Sequence, residues 1–233
     1  MFPSATCHLV EESARRPACG SDAPLSADAT AAAIHQAVAL AIRQDVGTLA
    51  ARRRAFLRRC WPYLGPTQRR HVTDHCWAVR TAVLRLGAYL ALPEATLDLL
   101  GRAALFHDIG KCRIPEWILA KPAALADDER AVMSRHAAIG ASIAADLGAP
   151  HSVVRMVAGH HRRADSGADP LAPPATAVLT AADALASMMS DRPYSPARTA
   201  PQALAELRRQ AGTVFDPAVV DAAGAVWGGR RVA

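Results

Sequence analysis

From Thr67 onwards, alanine, leucine and valine recur at helical spacing, and no strand-like alternation of useful length interrupts them. A chain patterned this way must bury its apolar stripes helix against helix, so the expected fold class is all-α. The spacing predicts helices over about 67–92, 93–107, 126–147, 150–161, 174–190, 200–211 and 216–226, with a loop carrying Pro115 and Pro122 after the second. Hydrophobic residues make up 51% of the 233 and aromatics only 5%. That balance favours helices over sheets and allows a full core. No internal repeat is visible, and one core domain is expected over 67–233.

The first 66 residues are organised differently. Residues 1–26 hold Pro3, Pro17, Gly20, Pro24 and several serines without periodicity, and read as a flexible tail. Ser26 is placed to cap a helix over 27–59, rich in alanine and arginine, which Trp61-Pro62 and Gly65-Pro66 end. Residues 27–66 thus read as a helical extension of regulatory or dimerising character. Its run Arg52-Arg53-Arg54, with Arg58-Arg59, reads as the wet face of an amphipathic helix rather than a nucleic-acid contact.

The formal net charge is +6, an excess that either attracts an anionic ligand such as a nucleotide or only solvates the surface. Nearly all of it is arginine, since lysine occurs only at Lys111 and Lys121. Cys7, Cys19, Cys60, Cys76 and Cys112 are scattered, with no C-x-x-C pair. They therefore make neither a zinc ribbon nor a disulfide framework, and a reducing cytosol is the simplest setting. No stretch approaches the roughly eighteen apolar residues of a membrane span, and the N-terminus lacks a signal peptide's apolar run. The expectation is a cytoplasmic protein with no membrane partner and no nucleic-acid polymer.

Nine histidines are present, and six fall into one order. His71 and His75 stand i, i+4, on one side of a helix. His107-Asp108 closes an apolar helix and runs on into Ile109-Gly110-Lys111. An adjacent imidazole and carboxylate can meet one cation, and the carboxylate can bridge to a second. Gly110 is expected to let the backbone turn sharply there, and Lys111 to offer a mobile charge to a phosphate oxygen. His136 follows, then the pair His160-His161. Asp183 then lies in an otherwise apolar helix, where an unpaired carboxylate is costly and a cation is an attractive partner. His8, His35 and His151 fit no such pattern.

The stretch 67–222 resembles the HD-GYP subgroup of the HD-domain metal-dependent phosphohydrolases. Phe106-His107-Asp108-Ile109-Gly110-Lys111 continues into Ile114-Pro115 and Ile118-Leu119-Ala120-Lys121-Pro122, then Leu125 and Glu129. His136 is followed by Gly140, Ser190-Asp191-Arg192-Pro193-Tyr194 matches the S-D-R-P-Y segment, and Gly212-Thr213-Val214-Phe215-Asp216-Pro217 the G-T-x-F-D-P signature. The resemblance implies an HD-domain helical bundle behind the helical extension. It implies a first metal held by His75, His107, Asp108 and Asp183, and a second held by His136, His160 and His161, with Asp108 bridging. His71 stands where some members place a glutamate for a third ion. Lys111 would contact the scissile phosphate, and Arg192 is a further candidate for substrate binding. The implied cofactors are two or three divalent ions, with the mixed donor set suiting iron or manganese ahead of zinc.

The name-giving motif is altered. Against H-H-E-R-x-D-G-x-G-Y-P, the chain reads His160-His161-Arg162-Arg163-Ala164-Asp165-Ser166-Gly167-Ala168-Asp169-Pro170. Asp183 lacks a second aspartate three residues on, and Ser195 stands where a basic residue often follows S-D-R-P-Y. No metal ligand is lost. The leading expectation is a phosphodiesterase that cleaves cyclic di-GMP to the linear dinucleotide or GMP through a metal-bridging hydroxide, with Asp108 and Lys111 as catalytic residues. Two other readings stay open: a cyclic-dinucleotide receptor or interaction module without turnover, and a hydrolase of another phosphoester. A protein partner or a homodimer is compatible with each.

Overall fold

The computed structural model describes residues 48–167, 175–191 and 196–228. Helix α1 (Leu49–Cys60) starts where the Thr48 hydroxyl accepts from the Ala51 N–H at 3.3 Å. The single helix expected over 27–59 is corrected here: Thr48 is extended and starts a separate helix, so no helix runs through it. Residues 1–47, with the expected tail and the rest of that helix, lie outside the described residues. Leu49, Phe56, Leu57 and Cys60 form the buried stripe of α1. Arg53 lies on the same stripe and is only 5% exposed, which corrects its expected place on a wet face. The cause is its hydrogen bonding: Nε donates to the Leu105 carbonyl at 2.7 Å and Nη2 to the Val72 carbonyl.

The segment expected as one helix over 67–92 is α2 (Pro66–Arg70), a π-helical turn (His71–His75) and α3 (Cys76–Tyr89) in direct succession. Next come α4 (Glu94–Phe106), a 3-10 turn (Ile109–Arg113) and the one-turn helix α5 (Glu116–Leu119), the last two inside the stretch expected as loop. The helix expected over 126–147 is two, α6 (Asp127–Ser134) and α7 (His136–Asp146). They part at Arg135 because the Met133 carbonyl is taken by His136 Nδ1 at 2.6 Å and the Val132 carbonyl by the Arg135 N–H at 3.2 Å. Then follow α8 (His151–Gly159), α9 (Thr176–Met188), α10 (Ala200–Arg209) and α11 (Pro217–Trp227).

Among the described residues there is no strand, only an isolated bridge between Ala211 and Phe215, so the fold is all-α as expected. α3 and α4 pack together, α9 lies on α3, α8 covers α7 and α4, and α11 closes against α10 and α3. One apolar cluster runs through these helices from Leu49 to Ala223. A smaller one, Ile114, Ile118 and Leu119, sits under Leu125, Val132 and Met133.

Two helix ends use the same reverse turn with different residues. After α7, the Gly148 N–H bonds the Ala145 carbonyl and the Ala149 N–H the Ala144 carbonyl, with Gly148 at φ +74°. After α3, Ala91 and Leu92 repeat the pattern onto Ala88 and Gly87, but Ala91 holds φ +51°. A Cβ is unfavourable in that region, while glycine adds entropy to the unfolded chain; the net expectation for Ala91→Gly is a gain of about 0.5–1 kcal/mol. Thermal unfolding reads it as a midpoint about 2 °C higher, and an unchanged or lower midpoint contradicts it.

Candidate metal centre

Five backbone segments deliver the polar cluster. The π-helical turn carries His71 and His75, the end of α4 carries His107 and Asp108, and α7 begins with His136. His160 and His161 follow the last turn of α8, and Asp183 lies within α9. The structure brings all eight together. His71, His75 and Asp108 form one group, His75, His107 and Asp183 a second, and His136, His160 and His161 a third, each with donor atoms within 4.8 Å of one another.

The distances link the groups. His75 Nε2 lies 2.9 Å from Asp183 Oδ1 and 3.6 Å from Asp108 Oδ2. His107 Nε2 lies 3.3 Å from His75 Nε2, 3.6 Å from Asp108 Oδ2 and 3.7 Å from Asp183 Oδ1. On the other side His136 Nε2 lies 3.2 Å from His160 Nε2, 3.0 Å from His161 Nε2 and 3.5 Å from Asp108 Oδ1. Asp108 therefore turns one oxygen to each side.

The donor chemistry can be read from the outer nitrogens. His107, His136 and His160 each turn Nδ1 to the backbone carbonyl three residues back, Ala104, Met133 and Val157, at 2.8, 2.6 and 2.7 Å. A carbonyl only accepts, so Nδ1 carries the hydrogen and in the neutral ring Nε2 is a lone pair. Burial pushes His136 down to about 4 and His160 down to about 3, so both are neutral at physiological pH. Their lone pairs then face each other across 3.2 Å, an arrangement that a shared cation resolves. Burial opposes charge on Asp108 as well, but Lys111 and His107 outweigh it and hold the carboxylate well below its usual range. The neighbouring imidazoles of His107 and His75 do the same for Asp183 against its own burial. Asp108 Oδ1 is buried and has no hydrogen-bond partner, an orphan acceptor that again calls for a cation. On these grounds the residues fit divalent metal.

Lys111 Nζ lies 2.7 Å from Asp108 Oδ2 and 3.3 Å from His71 Nδ1. Gly110 has no positive φ, so its expected turning role is replaced by another: the 3-10 turn packs directly on the backbone of α7. Other motif residues are structural. Glu129 caps α6 through the Ala126 N–H at 2.7 Å and pairs with Lys121, and Asp216 caps α11 through the Ala218 N–H at 2.8 Å. The segments 164–165 and 213–214 join through Ala164 N–H to the Val214 carbonyl and Asp165 N–H to the Thr213 carbonyl. Arg192 and the Ala168-Asp169-Pro170 end of the altered motif lie outside the described residues.

Sequence reasoning missed two features. Glu116 accepts from the Thr67 and Gln68 N–H groups at 2.8 and 3.2 Å, capping the helix that leads to His71. Arg130, Arg155 and Arg162 line a cavity of about 770 Å³ floored by His136 and His161. The first had no local signal. For the second there was a weak one: Arg130 and Met133 stand i, i+3 on a helix that leads to a histidine of the cluster.

An all-helical bundle that gathers histidines and aspartates in this order defines a class of metal-dependent proteins, and the comparisons place the chain within it. The HD domain family model matches residues 72–188, about half of the chain, and the chain belongs to the HD domain family. The cyclic di-GMP phosphodiesterase response regulator RpfG of Xanthomonas campestris is 36% identical over 143 residues, covering 57% of this chain and 37% of that protein. A cyclic di-GMP phosphodiesterase of Thermotoga maritima is 30% identical over 146 residues, 59% of this chain and 40% of that protein. The 3′3′-cGAMP-specific phosphodiesterase 3 of Vibrio cholerae is 33% identical over 134 residues, 55% of this chain and 29% of that protein. The matched region thus spans well under half of each relative. No helix among the described residues is long and apolar enough to cross a membrane.

Proposed function

We propose that this chain is a metal-dependent phosphodiesterase that opens a cyclic dinucleotide, cyclic di-GMP foremost, to the linear dinucleotide or GMP. The observation that carries the proposal is Asp108, whose Oδ2 faces His75 and His107 while its partnerless Oδ1 faces His136. A carboxylate shared in this way suits two ions, with His75, His107 and Asp183 completing one set and His136, His160 and His161 the other. His71 would serve a third, and iron or manganese fits the mixed donors better than zinc. When bound, such ions supply Lewis acidity and an activated water. The protein's part is to hold His136 and His160 neutral, to orient them and His107 through the Nδ1 bonds, and to keep Asp108 ionised. Lys111 meets negative charge on the phosphate, and the arginine-lined cavity beside His161 gives the anionic remainder of the substrate a place to lie. The names of the relatives support the cyclic-dinucleotide class. The buried free thiols of Cys60, Cys76 and Cys112 fit a cytoplasmic setting.

The test is to load metal-free protein with iron(II), manganese(II) or zinc and follow cyclic di-GMP, 3′3′-cGAMP and bis(p-nitrophenyl) phosphate. Turnover of a cyclic dinucleotide is expected with iron or manganese. Inertness toward all three at full metal occupancy rejects the proposal. The altered segment from Arg162 to Pro170 favours a second reading, a receptor that binds without turnover. Calorimetric binding of cyclic di-GMP with no product over hours would select it.

Lys111→Ala separates the roles of the lysine and the ions. Metal content should stay within error of the wild type, because the lysine donates no lone pair to a metal, while kcat falls about a hundredfold through lost phosphate stabilisation. An unchanged kcat removes Lys111 from the chemistry.

A further inference from the structure

Helix α1 lies outside the segment 72–188 that defines the family match, yet Arg53 reaches the backbone on which the histidines sit. Arg53 is 5% exposed, no carboxylate of the described residues pairs with it, and its ring contact is Phe106 at 5.9 Å. A cation in such a place is costly unless its hydrogens are used. They are used on two carbonyls: Leu105, two residues before His107, and Val72, between His71 and His75. At the end of α4 the Ala103 carbonyl accepts from the His107 N–H and the Ala104 carbonyl from His107 Nδ1. Arg53 takes the next, so one side chain completes the helix end whose last turn aims His107. The π-helical turn that aims His75 hangs on its other arm. Cys76 packs in the same gap, its thiol donating to the His71 carbonyl at 3.0 Å and lying 4.0 Å from His107 Nδ1. Among the described residues the neighbouring Arg52 hydrogen-bonds the Leu147 carbonyl, at 3.2 Å and at the far end of α7 from His136.

We propose that Arg53 is a positioning residue for the metal centre. Through it α1, and whatever precedes or acts on α1, sets the spacing of the His71–His75 turn against His107 and Asp108. The extension is then an input lever on the ions. This rests on the metal-centre reading and deepens it.

The test loads wild type, Arg53→Met, Arg53→Lys and Arg52→Met with cobalt(II), recording the visible d–d spectrum, the metal affinity and turnover of bis(p-nitrophenyl) phosphate. For Arg53→Met the expected result is an altered spectrum, affinity lowered about tenfold or more, and a matching fall in kcat with KM little changed. Arg53→Lys, which keeps the charge and one donor, should recover part of each, and Arg52→Met should match wild type in spectrum and kcat while losing thermal stability. Arg53→Met with a lower thermal midpoint but wild-type spectrum, affinity and kcat per folded molecule overturns the proposal, as does Arg52→Met behaving like Arg53→Met. Should Arg53→Met not fold, Arg53→Lys decides: a wild-type spectrum and kcat overturn it. A wild type that takes up no cobalt sinks the metal-centre reading itself, a different result from any of these.

Discussion

Replacing Asp108 by asparagine is expected to remove most of the bound metal and to lower phosphodiester turnover by at least about a thousandfold. The side chains are nearly isosteric, so the effect is one of charge and lone pairs. Asp108 presents Oδ2 to His75 and His107 at 3.6 Å and Oδ1 to His136 at 3.5 Å. An amide has one oxygen and one NH2 group, so whichever way it turns, a donor faces one of the two sets that needs an anion. The Lys111 ammonium, 2.7 Å from Oδ2, also loses its carboxylate. The stability consequence differs between forms. Metal held at a hundred times its dissociation constant contributes about 2.7 kcal/mol to the folded state, and this contribution should vanish in the variant. The measurement is metal content by mass spectrometry, with thermal unfolding in the presence and absence of manganese. A variant that retains full metal and the full metal-induced rise in midpoint would show that Asp108 does not bridge.

How much of this was legible before the fold was known follows from what each signal depends on. The helices are legible because burial on one face imposes a local period, and that period runs through α3, α4, α8, α9, α10 and α11. The convergence of histidines was legible because polar rings on apolar stripes need a reason to be there. A period cannot tell an α turn from a π turn, since residues four apart share a face in both, so the widened turn at His71–His75 was invisible. Nor could it show the break at Arg135, which His136 causes by taking the Met133 carbonyl for its own ring. Arg53 was misread for a related reason. An arginine in an arginine run looks solvated, and only the distant carbonyls of Val72 and Leu105, which local sequence does not reveal, account for its burial. Glu116 escaped in the same way, because the N–H groups it caps belong to residues 67 and 68.

Gly110 carries the other large effect, and here the expected role and the observed one lead to different predictions. Were Gly110 needed for an unusual φ, alanine would be strained but tolerated by a small backbone rotation. The structure gives a steric reason instead. A Cβ at Gly110 would fall within the van der Waals envelope of the His136 carbonyl oxygen, 2.6 Å from the Gly140 nitrogen and 2.9 Å from the His136 carbonyl carbon. All three are backbone atoms of α7, so no rotamer change relieves the clash and the helix itself must move off the turn. Overpacking typically costs 1–3 kcal/mol where side chains can yield, so Gly110→Ala is expected to lose about 3 kcal/mol or more. The shift also draws His136 away from Asp108, so metal content should fall in whatever protein still folds. Gly101→Ala is the internal control. Gly101 lies in the middle of α4, and its added Cβ would meet only Arg80 Nε at 3.6 Å and Leu84 Cδ2 at 3.7 Å, ordinary contacts. With helix propensity in its favour, that variant should gain about 0.5–1 kcal/mol. Denaturant unfolding of the two variants, with metal analysis of each, tests the contrast. Equal stabilities, or a Gly110→Ala variant with undiminished metal, would mean that the close approach of the 3-10 turn to α7 does not hold His136 in place.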